Sequence, residues 1–266
     1  MLRDPNATEY KKALVAELDG LWENGTFEKV RRSSLQPGAS VIPIMTVFEN
    51  KTDVSGETIG AKARCVVLGN QARQGVDYFE SSAFVMNIKT FRICLSMMVS
   101  DPEVQMGHWD VSQAFCYSPI DERVELYVLP PEGFREDGIV WRLRKTLYGL
   151  PDASFAWEKF LKVRLEKQGF RSLLTDPATY IKRDGDRWCV LPTHVDDLFP
   201  TSNCPAMVDE LWKALSSELL MKDLGAVASA LKTTVQYDRA GGVLKLSNTP
   251  FIMDMLERYD LTSVRE

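Results

Sequence analysis

Two adjacent acids, Asp196 and Asp197, set the tightest limits on how this chain folds, because they lie among apolar residues in segment 194–198 (HVDDL). The aromatic and β-branched residues 188–191 (WCVL) predict a strand before them, and the residues 199–204 include a turn cluster after them. This pattern predicts a β-hairpin with the acids at or near its tip. Neighbouring side chains on a strand point to opposite faces, so one carboxylate faces a site and the other is turned away. Carboxylates forced together repel each other, and a pair kept at a strand tip usually has a cation there.

A pair of acids also has an ordinary explanation. The chain contains 37 Asp and Glu residues against 32 Lys and Arg residues, and similar pairs occur at 121–122, 136–137 and 209–210. Taken alone, the pair at 196–197 is therefore best interpreted as a solvated turn. A third carboxylate arriving from another strand would favour a metal site instead.

Asp110 offers that third carboxylate. It ends a short strand-like run, and Val111 and Phe115 follow at a spacing suited to a turn of helix. An acid in this place could hold Mg²⁺ through its carboxylate and the next backbone carbonyl, since Mg²⁺ usually takes one or two carboxylates together with substrate phosphates. Asp110 with Asp196 and Asp197 could then seat two ions about 4 Å apart for in-line phosphoryl transfer.

The segments DVSQAF (110–115) and HVDDL (194–198) resemble the reverse transcriptases of copia-type LTR retrotransposons. Five further segments resemble the same family in the same order: KARCVV (62–67) with Gln71, GVDYFE (75–80), TFR (90–92), LYGL (147–150) with Trp157, and MKDLG (221–225). The likeness extends from about Tyr10 to about Leu261. Each motif alone is a weak signal, but seven in register identify the chain as a member of this family.

The resemblance implies a right-hand polymerase fold of the α+β class. It implies a palm with an antiparallel sheet backed by helices at 89–119 and 153–248, the second part ending in a hairpin that resembles a primer grip. A fingers lobe would comprise 1–88 and 120–152, and 249–266 would begin a thumb. The succession of helices and strand pairs read from periodicity alone also indicates α+β.

The resemblance also implies roles for particular residues. Asp110, Asp196 and Asp197 would be catalytic and, with the carbonyl of Val111, would hold two Mg²⁺ or Mn²⁺ ions. The nucleotide-binding residues would be Lys62, Arg64, Phe115, Tyr148 and Gly149. Lys62 and Arg64 share a strand face and would meet the triphosphate, whereas the ring of Phe115 would exclude a 2′-hydroxyl. Gly149 would let the backbone approach a ligand closely. An exposed basic strand face and a core phenylalanine remain the alternatives.

Several positions depart from the family pattern. His194 stands where a tyrosine is usual, Thr46 replaces a tryptophan, and Pro151 and Asp152 replace Lys-Gln after LYGL. A change from Lys to Pro removes a charge and a backbone donor near the template. Two functions therefore remain open: an active RNA-directed DNA polymerase that adds deoxynucleotides to a primer, or a decayed or domesticated copy that serves as a non-catalytic nucleic-acid- or protein-binding subunit.

Composition bounds the partners and the location. The expected partners are an RNA or DNA template with its primer, deoxynucleoside triphosphates, and other parts of a Pol polyprotein (integrase, RNase H), none of which is recognised in this sequence. The net charge of −5 predicts weak, salt-sensitive nucleic-acid binding, although 142–171 is locally basic. No apolar run approaches 18 residues, the first six residues do not start a signal peptide, and the 5 cysteines lack a C-x-x-C pair. We therefore expect no membrane association and an intracellular, cytoplasmic or nuclear protein that is not secreted.

Periodicity predicts helices over 7–23, 89–99, 153–168 and 206–221, and a last helix from 249. In the second helix the apolar residues, Ile93 among them, are expected to be buried. Strands are predicted over 26–30, 41–51, 61–68, 124–128, 140–143, 188–191, 233–237 and 243–247, with a polar hairpin tip around 53–58.

Overall fold

The computed structural model describes residues 7–52 and 58–261, with side chains undescribed at 51–52. The predicted hairpin tip around 53–58 therefore lies almost wholly outside the described residues. Within them the chain forms helices and strands in the following order: α1 (Ala7–Glu23), β1 (Phe27–Arg31), β2 (Val41–Thr52), β3 (Thr58–Val67), α2 (Ile88–Ser100), β4 (Gln105–Val111), β5 (Tyr127–Leu129), β6 (Ile139–Leu143), α3 (Ala153–Lys167), β7 (Arg171–Ser172), β8 (Thr179–Asp184), β9 (Arg187–His194), β10 (Asp197–Leu198), β11 (Thr201–Ser202), α4 (Pro205–Ser216), β12 (Met221–Ala226), β13 (Ser229–Ala230), β14 (Thr233–Asp238), β15 (Val243–Ser247) and α5 (Thr249–Arg258).

The chain divides into two compact units, each assembled from two segments. The first unit comprises 1–83 and 113–161, and the second comprises 84–112 and 162–266. None of the described helices is both long enough and apolar enough to cross a membrane.

The first unit is built on a mixed sheet with strand order β1-β6-β5-β2-β3. β2 pairs with β3 in an antiparallel hairpin and with β5 in parallel. Alternation along β3 buries Ala63, Cys65 and Val67 and leaves the intervening side chains more exposed. α1 packs into the same core through Leu14, Leu18 and Leu21, which recur at the spacing of one helix face.

The second unit is built on an antiparallel sheet with strand order β10-β4-β11-β9-β8-β7, in which β12 also pairs with β4. A smaller sheet, β13-β14-β15, belongs to the same unit. α2 and the start of β4 share a hydrophobic cluster that includes Phe91, Met106 and Phe199. Because successive residues of β4 alternate between faces, this cluster occupies one face and Trp109 and Val111 are buried on the other.

Three predictions about local structure need correction. Ile93 is 59% exposed, because α2 buries a stripe of residues at the spacing i, i+3, i+4, i+7 from Phe91 and Ile93 falls outside it. The strand predicted at 124–128 is confined to Tyr127–Leu129, since the amide of Val124 bonds the carbonyl of Asp121 in a turn. The helix predicted to reach 221 ends at Ser216, because Met221 begins β12, which pairs with β4.

Candidate active site

The acid pair lies at a two-residue turn, as the sequence predicts. β9 and β10 are antiparallel, and His194 pairs with Asp197, so Val195 and Asp196 form the loop. Val195 has φ 55° whereas Asp196 is not left-handed, which is the sign pattern of a type II′ hairpin turn. That first loop position favours glycine, and a β-branched residue there is strained. Strain of this kind clusters at functional sites in proteins.

Asp110 and the acid hairpin lie on neighbouring strands. β10 pairs with β4 so that Asp197 is opposite Asp110, and the amide of Val111 donates to the carbonyl of Asp196 at 2.9 Å. Residues directly opposite in an antiparallel pair place their side chains on the same face, with Cβ atoms about 5 Å apart. The carboxylates of Asp110 and Asp197 therefore share one face, and Asp196 lies at the adjoining turn.

The opposite face of β4 anchors this arrangement. Trp109 is 3% exposed and its ring makes an edge-to-face contact with Trp212 of α4, with ring centroids 5.1 Å apart. On the other edge of β4, β12 aligns Lys222 with Asp110. The strand that carries Asp110 is thus held by β10, by β12 and by the contact of the buried Trp109 with the half-buried Trp212.

His108 is a neighbour of the acids that sequence reasoning missed. Its Nε2 lies 2.7 Å from Oδ1 of Asp197, and its ring stacks on Phe199 with centroids 4.7 Å apart. The signal that could have found it is its position two residues before Asp110, which places both side chains on one strand face.

Phe115 and Tyr148, both predicted nucleotide-binding residues, come together in the first unit. Their rings meet edge to face with centroids 5.1 Å apart. Thr146 donates from Oγ1 to the carbonyl of Phe115 at 2.6 Å, which fixes the backbone beneath the ring. Phe115 is half-buried, so its ring is neither a fully enclosed core residue nor a free surface group.

Gly149 makes its close approach to the protein itself. At φ 89°, a Cβ added there would lie 2.1 Å from the carbonyl oxygen of Val67, and the amide of Val67 donates to the carbonyl of Tyr148 at 2.8 Å. A Cβ at Gly69 would lie 2.0 Å from the carbonyl oxygen of Gly149. The glycine that was predicted to admit a ligand therefore lets the turn after Tyr148 pack on the end of β3.

Lys62 and Arg64 lie on the more exposed face of β3, as their spacing predicts. Arg64 donates to Oε1 of Glu49 on β2 at 2.5 Å, and Glu49 is also the register partner of Lys62. The two basic residues therefore share one acidic neighbour. In the locally basic stretch, Arg142 pairs with Glu125 and Arg144 with Glu28, so part of that charge is also matched.

Two of the shifted pKa values in the first unit belong to carboxyl groups that follow candidate site residues in the sequence. Burial raises the pKa of Asp152, one of the residues that depart from the family pattern. Hydrogen bonds from Arg123 lower the pKa of Asp121 to about 2.

The acid cluster, which we define as Asp110, Asp196 and Asp197, has donor atoms that suit Mg²⁺ or Mn²⁺. Asp110 and Asp197 face the same side of a sheet and provide carboxylate oxygens, which are the ligands these ions prefer. Across 7–52 and 58–261, no group of three His, Cys, Asp or Glu side chains is gathered tightly enough to hold a metal ion. Mg²⁺ commonly binds through one or two carboxylates plus substrate phosphates, so the paired acids meet that requirement.

Comparison with known proteins identifies the family. The model of the family described as reverse transcriptase (RNA-dependent DNA polymerase) matches residues 27–266, and the chain belongs to this family. The resemblance to reverse transcriptases of copia-type retrotransposons is thereby confirmed. So is the α+β fold class, since the described helices accompany sheets whose strands are mainly antiparallel. Reverse transcriptases in general use divalent metal ions.

The chain is similar to several proteins from transposons and viruses. It is 30% identical to the retrovirus-related Pol polyprotein from transposon TNT 1-94 of Nicotiana tabacum, over 100% of this chain and 20% of that protein. It is 27% identical to the Pol polyprotein from transposon RE2 of Arabidopsis thaliana, over 96% of this chain and 17% of that protein. The chain thus spans about a fifth of the length of these relatives. A solved foamy viral protease-reverse transcriptase in complex with double-stranded DNA aligns over 97% of this chain and 38% of that chain, with 13% identity and a TM-score of 0.49.

Proposed function

We propose that the chain is an RNA-directed DNA polymerase that adds deoxynucleotides to a primer on an RNA or DNA template. The observation that supports this most is the register of β4 and β10, which sets Asp110 opposite Asp197 beside the turn that holds Asp196, in a chain of the reverse transcriptase family. The fingers would comprise 1–88 and 120–152 and the palm 89–119 and 153–248, with β14 and β15 as the primer-grip hairpin and α5 in the start of a thumb. The alternative, a non-catalytic domesticated subunit, is not favoured, because the family match and the paired acids both support an enzyme.

The carboxylates would provide oxygen ligands for metal ions, and their negative charge would attract those ions. Asp110, Asp196 and Asp197, with the carbonyl of Val111, would hold two Mg²⁺ or Mn²⁺ ions. When bound, such ions supply Lewis-acid stabilisation of the charge that develops on the transferring phosphoryl group. The protein's contribution is to hold the carboxylates in place before substrate arrives, since the ladder between β4 and β10 fixes their backbones.

Residues of the first unit would bind the incoming deoxynucleoside triphosphate. The ammonium group of Lys62 and the guanidinium group of Arg64 can both donate hydrogen bonds to phosphate oxygens. The half-buried ring of Phe115 would lie under the sugar and exclude a 2′-hydroxyl, with Tyr148 holding that ring from the side. Gly149 would contribute indirectly, by letting the Tyr148 turn pack on β3. Other segments of a Pol polyprotein are proposed partners, because the similar proteins are Pol polyproteins.

A primer-extension assay tests this function. Given an RNA template and a DNA primer at low salt, the chain should extend the primer only with Mg²⁺ or Mn²⁺. Low salt is chosen because the net charge of −5 opposes nucleic-acid binding. Asp110→Asn keeps the side-chain shape and removes one charge, so it should abolish extension while thermal unfolding stays unchanged. Asp209→Asn, at an exposed acid of α4, is the matched control and should extend like the parent.

If the parent fails to extend at low salt with either metal, the polymerase proposal is wrong. RNA or protein binding that is unchanged by Asp110→Asn would then support the non-catalytic subunit.

A further inference from the structure

The face of β4 that carries Asp110 changes from apolar to acidic along its length. Met106 is buried in the cluster with Phe91 and Phe199, whereas Asp110 lies two alternating positions further on and is partly exposed. His108 stands between them on the same face. Its side chain is 13% exposed, against 39% for Asp197, so His108 occupies the boundary between the core and the acids.

The contact of His108 with Asp197 has a defined direction. An ionised carboxylate only accepts hydrogen bonds, so Nε2 of His108 is the donor to Oδ1 across 2.7 Å. Both the neutral Nε2–H tautomer and the imidazolium provide this donor. The bond therefore does not depend on a change of charge at the histidine.

The ring of His108 is itself fixed. It stacks on Phe199 with an interplanar angle of 22°, and Phe199 meets Phe91 of α2 edge to face with centroids 5.5 Å apart. Phe199 is 1% exposed and Phe91 is 0% exposed. A chain of packed rings thus runs from α2 to the imidazole, and it leaves the Nε2 atom aimed at Asp197.

We infer that His108 is a positioning residue for Asp197, and this inference rests on the proposed function. By holding Oδ1, it stops the carboxylate from rotating and leaves the second oxygen for a metal ligand bond on the face shared with Asp110. Groups that hydrogen-bond to a ligating carboxylate typically change metal affinity or activity by about 10- to 100-fold when they are removed. His108 is not proposed to contact the sugar or the base of the nucleotide. Its removal should therefore lower the affinity for the metal ion and lower kcat.

Two substitutions separate the hydrogen bond from the ring stack. His108→Phe keeps an aromatic ring against Phe199 and removes the donor. His108→Gln keeps an N–H donor of similar reach and removes the ring. If the hydrogen bond is what matters, His108→Phe should weaken Mn²⁺ binding about tenfold and His108→Gln should stay within about threefold of the parent.

The Mn²⁺ affinity is measured by counting free Mn²⁺ by electron paramagnetic resonance, with the full chain and no nucleic acid present. Primer extension adds a second readout: in His108→Phe, kcat should fall about tenfold while KM for the deoxynucleotide stays within about twofold. In an Asp197→Asn background, His108→Phe should produce no further loss of Mn²⁺ affinity, because the acceptor it orients has lost its charge.

The opposite result is a weaker Mn²⁺ affinity in His108→Gln and a Mn²⁺ affinity like that of the parent in His108→Phe. It would show that the imidazole ring contributes only by packing, and it would overturn the inference. So would an equal loss of affinity from His108→Phe in the parent and in the Asp197→Asn background. These Mn²⁺ results stand whether or not the parent extends a primer, so a failure of the polymerase proposal remains distinguishable. If His108→Phe does not fold, His108→Gln and His108→Leu measured for Mn²⁺ affinity give the same test of the donor.

Discussion

The two units of this molecule assemble their candidate functional residues in different ways. In the second unit, backbone pairing brings the acids together, since the ladder between β4 and β10 sets Asp110 opposite Asp197. In the first unit, side-chain contacts hold the candidate residues, with Tyr148 against Phe115 and Glu49 against Arg64. A strand register is either kept or lost as a whole, because a shift of one residue turns every side chain of the strand to the other face. Side-chain contacts, by contrast, can be weakened one at a time.

The largest contrast should appear when one residue is changed in each unit. Asp196→Asn removes a charge from the acid cluster and should lower kcat on the order of 10³-fold, because the charge stabilisation of the transition state is lost. Lys62→Gln removes a surface charge opposite Glu49 and should raise KM for the deoxynucleotide about tenfold with little change in kcat. Steady-state primer extension measures both. Equal effects on kcat would show that the two units do not divide catalysis and substrate binding.

Gly149→Ala tests whether backbone packing in the first unit tolerates substitution as poorly as the strand register of the second unit should. The left-handed φ and the Val67 carbonyl, 2.1 Å from an added Cβ, should together lower the free energy of unfolding by about 3 kcal/mol. Gly133→Ala is the matched control, because Gly133 has the same φ of 89° but no atom within 4 Å of an added Cβ. It should lose about 1 kcal/mol. Denaturant unfolding compares them, and equal losses would mean that the packing on β3 contributes nothing.

Phe115→Ala should produce a smaller, graded effect, as expected for a side chain held by contacts. Without the ring, discrimination against ribonucleotides should fall at least tenfold, since a hydroxyl-sized space opens, while kcat/KM for deoxynucleotides falls only a few-fold. Tyr148→Leu should weaken discrimination less than Phe115→Ala does, because it removes only the ring that supports Phe115. Competition between ribo- and deoxynucleotides measures the ratio. Unchanged discrimination in Phe115→Ala would mean that the ring is only a core residue.

The smallest effect should come from Glu49→Gln. Exposed ion pairs contribute about 0.2–1 kcal/mol, so releasing Arg64 from Glu49 should lower KM for the deoxynucleotide by about fivefold at most. Glu125→Gln releases Arg142 of β6 from a similarly exposed ion pair and should leave KM unchanged. A rise in KM for Glu49→Gln would instead show that Glu49 holds Arg64 in position for the triphosphate.

The sequence predicts the separate elements that carry the acids well, because each of them is local. The strand before the acid pair, the turn, and the strand that carries Asp110 are all encoded in short segments, and strand alternation decides which side chains share a face. That Asp110 lies opposite Asp197 depends instead on the register of β4 against β10. The helices are predicted well for the same reason, apart from the exposed Ile93 and the early end of α4 at Ser216.

Contacts across long sequence separations could not be predicted in this way. His108 and Asp197 are 89 positions apart, and their hydrogen bond depends on the register of β4 against β10, which no single segment specifies. The packing of Gly149 against Val67 likewise depends on how a distant turn meets β3. The family motif drew attention to Gly149, but the partner of its backbone is visible only in the folded chain.

The left-handed valine at the turn has a consequence for how this chain would respond to selection. A glycine or asparagine at Val195 would adopt φ 55° with less strain, so a more stable sequence lies one substitution away. A variant library sorted only for thermal stability should therefore enrich Val195→Gly. The same library sorted for primer extension should instead retain Val195. The reason is that the branched side chain restricts the backbone of the turn and so keeps Asp196 in place.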